Sequence, residues 1–237
     1  MRTAAIVPAA GRGERLGPGL PKALRPLGGA PLLVHAVRAL ARARGVSLVV
    51  VAAPGPDVAA VERLLADFEW GADVEVVPGG THRHASVGLA LGALPADVDI
   101  VLVHDAARPL APPELAEAVA STVRQHADAC VPVVPLADTI KEIANDTVVC
   151  TLDRTQLRAV QTPQGFRRAA LAKAHAWAAE ASDAELATIT DDAGLVERLG
   201  MCVTTIAGAE EAFKVTRPLD LVVAETLLAR RRADGVR

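Results

Sequence analysis

Arg15 and Lys22 stand in the stretch PAAGRGERLGPGLPK, Pro8 to Lys22, directly after the apolar run Ala4–Val7. Small side chains let backbone N–H groups approach a phosphate, and nearby cations neutralise it. Lysine is scarce here: Lys22, Lys141, Lys173 and Lys214 are the only four among 25 basic residues, so each is informative about its place. Three phosphate-loop chemistries compete for the stretch. A P-loop requires GxxxxGK[ST], and Lys22 is followed by Ala23. A dinucleotide fingerprint requires a third glycine after Gly11 and Gly13, and Leu16 stands there instead. No acidic residue ends the second apolar run, VSLVVVAAP, where a ribose-binding carboxylate belongs. The remaining chemistry is nucleotidyl transfer, with Arg15 and Lys22 on a triphosphate. The plain alternative is a surface turn with solvated charges.

Other residues offer chemistry of the same kind. VLVHDAARP puts Asp105 at the end of an apolar strand, with Arg108 just after it. A carboxylate there can hold Mg²⁺ through hard oxygen ligands, and the guanidinium can pair with a phosphate. The plain alternative is a capping Asp and a structural ion pair. Asp191 and Asp192 in TITDDAGL form either a second metal site or a helix cap built on Thr190 or Asp191. His82 and His84 suggest a metal, but no third ligand lies near them in sequence. Lys214 before the last helix reads by itself as solvated.

These residues need a frame. TAAIVPAA, VSLVVVAAP, DVEVVPGG, DIVLVHDAARP and DACVPVVPL read as strands. Between them lie PLLVHAVRALARARG, DVAAVERLLADF with Asp57 as N-cap, RHASVGLALGAL and PPELAEAVASTVRQH, which read as helices. Unbroken apolar strands alternating with helices imply βαβ units and an α/β, doubly wound, mostly parallel sheet. The pattern changes near Ala137, where residues 137–160 read as a projecting β-hairpin with its turn at Asn145-Asp146. Helices return at RRAALAKAHAWAAEA and TDDAGLVERLG, then a strand CVTTIAG and a final helix RPLDLVVAETLLARRR with Pro218 in its first turn. The 237 residues fit one domain, with the 137–160 arm as an appendage.

Composition narrows the partners. A net charge of −3 argues against a general nucleic-acid binder. No run of 18 apolar residues marks a membrane span, and the opening residues lack a signal-peptide pattern. Cys130, Cys150 and Cys202 are scattered without CxxC spacing, which points to the cytoplasm.

Taken in order, PAAGRGERLGPGLPK, GGTHRHASV, VLVHDAARP, DTIK, TPQGF, TITDDA and FKVTRPLDL carry a resemblance over about residues 3–230. The chain resembles the 2-C-methyl-D-erythritol 4-phosphate cytidylyltransferases of the non-mevalonate isoprenoid pathway. The resemblance implies a Rossmann-like nucleotidyltransferase that transfers CMP from CTP to that polyol phosphate with Mg²⁺ and releases pyrophosphate. It implies that Ala9, Ala10, Gly11, Gly13 and Ala106 line the nucleotide site, and that Gly80, Thr81, Arg83 and Ser86 form the cytosine pocket. Arg15, Lys22, Arg154 and Lys214 are the implied catalytic cations. Asp105, Arg108, Thr139, Arg154, Thr162 and Lys214 are the implied acceptor-binding residues, with Asp105 also on the metal. The arm implies a homodimer. The stretch departs from the family pattern at Thr81 and His84-Ala85. The acceptor is a phosphate monoester, largely ionised near pH 7, so the reaction needs relief of anion repulsion and not a general base. Two alternatives remain: CMP transfer to another polyol phosphate such as ribitol 5-phosphate, and a non-catalytic nucleotide- or NAD-binding domain.

Overall fold

The computed structural model describes residues 1–11, 20–125 and 127–235. Strand β1 (Arg2–Pro8) lies in the interior of the sheet, and its side chains from Thr3 to Val7 are buried on both faces. Ala5 and Val7 pack on one side, Ala4 and Ile6 on the other. Fully burying one such aliphatic side chain is worth about 1.5–3 kcal/mol, so an apolar run of this kind is driven to an interior strand.

A two-residue hairpin follows, β2 (Pro26–Leu27) and β3 (Ala30–Pro31). Its turn residues Gly28 and Gly29 have φ of 55° and 92°, the left-handed geometry that a tight hairpin requires. Next come α1 (Leu32–Arg42), β4 (Val46–Ala53), α2 (Val58–Ala66), β5 (Asp73–Pro78), α3 (Arg83–Ala93), β6 (Val98–Val103), α4 (Pro113–Gln125) and β7 (Ala129–Pro135). These match the expected alternation. One detail does not. Asp57 precedes α2 but makes no side-chain capping bond, because the short 3-10 turn Gly55–Asp57 already holds it in helical geometry (φ −100°, ψ −2°). A side-chain N-cap needs an extended backbone there.

Strands β5, β4, β1 and β6 are parallel and adjacent in that order. Helices α1, α2 and α4 cover one face, with Leu33, Val37, Leu65 and Val119 in its core. Helix α3 covers the other face together with α5 (Arg168–Glu180) and α7 (Asp192–Arg198), around Val87, Leu91, Phe166 and Leu195. The chain crosses from one half of the sheet to the other between β1 and β6. In open α/β sheets ligands bind at the carboxyl ends of the strands beside such a switch point.

The projecting hairpin is β8 (Lys141–Ala144) and β9 (Thr147–Thr151), a separate two-stranded sheet. Asn145 and Asp146 form its turn with φ of 48° and 62°. The end of the 137–160 stretch behaves differently: β10 (Arg158–Val160) returns to the main sheet and pairs antiparallel with β7. After it, β11 (Gln164–Arg167) inserts antiparallel between β6 and β7. Gly165 permits this, since a Cβ there would sit 2.5 Å from Val119 Cγ1 of α4. The sheet is therefore mixed, though mostly parallel. A four-residue helix α6 (Asp183–Leu186), which the sequence pattern did not suggest, precedes α7. Strand β12 (Val203–Ala207) runs parallel to β7, and α8 (Pro218–Ala233) packs on Leu27, Leu32, Leu110 and Val215. Among the described residues, no helix is long and apolar enough to cross a membrane.

Candidate active site

A cleft opens where β1, β5 and β6 end. Its walls include Ala9, Ala10 and Gly11 after β1, Gly80, Thr81, Arg83 and Ser86 around the start of α3, and Asp105 and Ala106 after β6. Lys22 and Lys214 reach it from separate segments. Lys22 opens a 3-10 turn, Lys22–Leu24, which is anchored by the buried Ala23 and by the Leu24 N–H on the Pro21 carbonyl at 2.9 Å. Lys214 lies between the 3-10 turn Glu210–Ala212 and α8. The neighbouring Val215 is fully buried, and its N–H donates to the Ala107 carbonyl at 2.8 Å. That bond ties the Lys214 segment to the loop after β6.

The Gly79-Gly80 loop is held by Ser86. The Gly80 N–H donates to Ser86 Oγ at 3.1 Å, and that hydroxyl lies 3.1 Å from the His82 carbonyl. A Cβ on Gly80 would come within 2.6 Å of Ala85 Cβ, so the loop can approach α3 this closely only as glycine. His82 and His84 stack with ring centroids 5.7 Å apart. Among the described residues no three His, Cys, Asp or Glu side chains gather as metal ligands.

Asp105 is the electrostatic centre. Its Oδ2 lies 2.7 Å from Lys214 Nζ and 3.9 Å from Arg108 Nε, and its Oδ1 accepts from Arg83 Nε at 3.2 Å. Burial would raise its pKa, but Arg83 first, then Lys214 and Arg108, hold it well below the usual carboxylate range. Asp105 is thus an anion under all ordinary conditions. Arg108 is oriented through its other nitrogens, with Nη1 donating to the Ala212 carbonyl at 2.6 Å and Nη2 to the Val160 carbonyl at 3.2 Å. Among the described residues, its buried Nε has no hydrogen-bond partner. A buried guanidinium N–H without a partner is costly, and this one stands beside Asp105, which lines the cleft.

His104 and Thr162 fix the backbone beneath this group. The Asp105 N–H donates to Thr162 Oγ1 at 3.0 Å, and Thr162 Oγ1 lies 3.0 Å from His104 Nδ1. His104 Nε2 is 3.2 Å from the Arg108 carbonyl, which only accepts, so Nε2 carries the proton and the Thr162 hydroxyl donates to Nδ1. Burial pushes the His104 pKa down to about 4, which keeps the ring neutral. Thr162 therefore supports the site from below its floor.

The structure brings together most of the residues singled out in the sequence. Gly13 and Arg15 lie outside the described residues. Thr139 and Arg154 sit at the base of the arm and are not among the residues lining the cleft; Arg154 Nη1 donates to the Leu136 and Ala137 carbonyls. Of the acidic pair, Asp191 caps α7, accepting from the Gly194 N–H at 2.9 Å. Asp192 turns inward, is fully buried and pairs with Arg83. Two participants went unnoticed in the sequence. His104 stands inside HDAARP, where its motif could have flagged it. His175 on α5, bonded to Asp192, carries no sequence signal.

Comparison with known proteins agrees with this geometry. The profile of the 2-C-methyl-D-erythritol 4-phosphate cytidylyltransferases matches residues 3–230. A protein of that name from Frankia casuarinae is 60% identical over 230 residues, covering 97% of this chain and 82% of that one. One from Streptomyces coelicolor is 56% identical over 241 residues, covering 98% and 86%. The crystal structure of the Thermus thermophilus protein of that name superposes with a TM-score of 0.77 at 35% identity, covering 97% of this chain and all of that one. A 4-diphosphocytidyl-2C-methyl-D-erythritol synthase from Anaerococcus prevotii gives 0.82 at 25% identity, covering 96% of each. With a matching profile over nearly its whole length, this chain belongs to the 2-C-methyl-D-erythritol 4-phosphate cytidylyltransferase family.

Proposed function

We propose the residue roles by which this chain carries out its family's reaction, the transfer of CMP from CTP to 2-C-methyl-D-erythritol 4-phosphate in isoprenoid precursor synthesis. A phosphate oxygen of the acceptor attacks the α-phosphorus of CTP in line. The new P–O bond forms as the bond to the β-phosphate oxygen breaks, and pyrophosphate leaves with that electron pair. Catalysis here is positioning and charge neutralisation. Ala9, Ala10 and Gly11 present backbone to the nucleotide, and the Gly80–Ser86 loop forms the pocket for cytosine. Lys22 and Arg15 neutralise the triphosphate. Arg108 and Lys214 hold the acceptor phosphate.

One observation carries this reading: Arg108 Nε and Lys214 Nζ converge on the single ionised carboxylate of Asp105, in the cleft that Lys22 also lines. A phosphate arriving there draws Lys214 off Asp105 and gains the nearby positive charge of Arg108, whose Nε is itself buried. Asp105 is then left as an ionised oxygen donor suited to a hard cation. It would hold Mg²⁺ jointly with the phosphates of the nucleotide, since Mg²⁺ commonly takes one or two carboxylates plus substrate oxygens. The cation supplies charge neutralisation on the triphosphate. Three free cysteines, Cys130, Cys150 and Cys202, support a cytoplasmic setting. Pyrophosphate release from CTP in the presence of 2-C-methyl-D-erythritol 4-phosphate tests the reading; no release would sink it.

The arm serves a homodimer in this scheme. Ile143, Val148 and Val149 are each more than half exposed, on a hairpin that packs into neither core. An isolated two-stranded hairpin is marginal in water and is stabilised by a covering partner. A second copy would cover those side chains and bring Arg154 and Thr139 towards an acceptor site. We expect the wild type to sediment as a dimer, and Ile143→Lys with Val149→Glu to sediment as a monomer. Its kcat/KM for the acceptor should drop by about tenfold or more. A fully active monomeric wild type would contradict the dimer.

A further inference from the structure

Asp192 has both oxygens engaged inside the protein. Oδ1 lies 2.9 Å from His175 Nε2, and Oδ2 is paired with Arg83 Nη1. Arg83 Nε goes on to Asp105 Oδ1 at 3.2 Å, and Asp105 Oδ2 holds Lys214 Nζ at 2.7 Å. One chain of contacts therefore runs from α5 through α7 and α3 to the carboxyl end of β6. We propose that His175 is a positioning residue for cytidylyl transfer: by occupying Asp192 Oδ1 it keeps Arg83 bridged between Asp192 and Asp105, and so sets where Asp105 and Lys214 stand. This rests on the cleft being the transfer site.

The physical reason is competition for one guanidinium. An arginine beside a single carboxylate prefers to bind both oxygens with its planar fork. Arg83 instead gives one nitrogen to each of two carboxylates. Asp192 is ionised: burial would raise its pKa, but Arg83 and then His175 hold it down. An ionised carboxylate only accepts, so His175 donates from Nε2. The ring is nearly buried and lies against Gly88 of α3, where a Cβ would come 3.4 Å from Nδ1. Without that donor, Asp192 Oδ1 would be buried and unpaired. Arg83 relieves this by turning its fork fully onto Asp192. Asp105 then loses its Arg83 contact and holds Lys214 more strongly, away from the acceptor phosphate.

The test is a set of His175 variants in the full chain, assayed with CTP and 2-C-methyl-D-erythritol 4-phosphate. His175→Gln keeps an N–H at the reach of Nε2, and His175→Asn stops short of it. We expect Asn to lower kcat/KM for the acceptor about tenfold and Gln to stay within about threefold of the wild type. In an Arg83→Met background, the same Asn substitution should cost less than about twofold, because the residue it acts through is gone. His175→Met, which fills the ring's space without a donor, replaces Asn if Asn lowers the melting temperature. Wild-type kcat/KM in the donor-less variant overturns the proposal. So does a Gln variant no better than Asn, or an equal loss with and without Arg83. A wild type inactive on this substrate pair would instead overturn the reading of the cleft.

Discussion

Lys22→Ala is expected to lower kcat about 10²- to 10³-fold, the usual loss when one preorganised donor to a developing anion is removed. The side chain lines the same cleft as Asp105 and Lys214, and Lys22 is proposed to neutralise the triphosphate there. Two anions meet in this reaction, and the charge that develops on the departing pyrophosphate has to be stabilised. Scaffold stability should change little, because the turn that carries Lys22 is anchored by the buried Ala23 and its backbone bonds. Steady-state kinetics beside a thermal melt checks both halves. Near-normal turnover in a folded Lys22→Ala protein removes Lys22 from the mechanism.

Lys214→Ala should be comparably damaging, but on the other substrate. Among the described residues Lys214 is the closest cation to Asp105, and it is one of the two proposed to hold the acceptor phosphate. Its loss removes a positive charge and leaves Asp105 Oδ2 facing an incoming dianion. Asp105 stays ionised in this setting because Arg83 and Arg108 remain beside it. We expect kcat/KM for the acceptor to fall about 10²- to 10³-fold while KM for CTP stays within about threefold. Adding Asp105→Asn to Lys214→Ala should recover part of the acceptor's binding affinity by removing the repelling carboxylate, but not turnover, because Asp105 is also the proposed Mg²⁺ ligand. A loss that falls instead on KM for CTP would place Lys214 on the nucleotide.

How much of this was legible in the sequence follows from where each feature's information lies. Strands β1, β4 and β6 announce themselves because burial on both faces demands an unbroken apolar run. The arm announces its turn because Asn145 and Asp146 tolerate positive φ. Strands β10 and β11 do not, since RAVQTPQGFR holds no long apolar run and their pairing with β6 and β7 depends on partners far along the chain. The cap on α2 failed for a local reason: residues before Asp57 had already entered a helical turn. In the site, Lys22 and Asp105 were legible as charges placed after strands, whereas Lys214 read by itself as solvated and was singled out through the family resemblance. The role of Asp192 was not, because adjacent aspartates look alike until the fold sends Asp191 to the helix end and Asp192 to Arg83. Nothing about His175 in an alanine-rich helix distinguishes it before α5 and α7 pack together.

The most direct test of the central claim is a pyrophosphate-release assay across CTP, UTP, ATP and GTP, each paired with 2-C-methyl-D-erythritol 4-phosphate and with ribitol 5-phosphate, in Mg²⁺. Turnover with CTP and 2-C-methyl-D-erythritol 4-phosphate is expected well above every other pair, and is expected to be lost in Lys22→Ala and Lys214→Ala. Faster release with ribitol 5-phosphate, or with another nucleotide, would contradict the assignment.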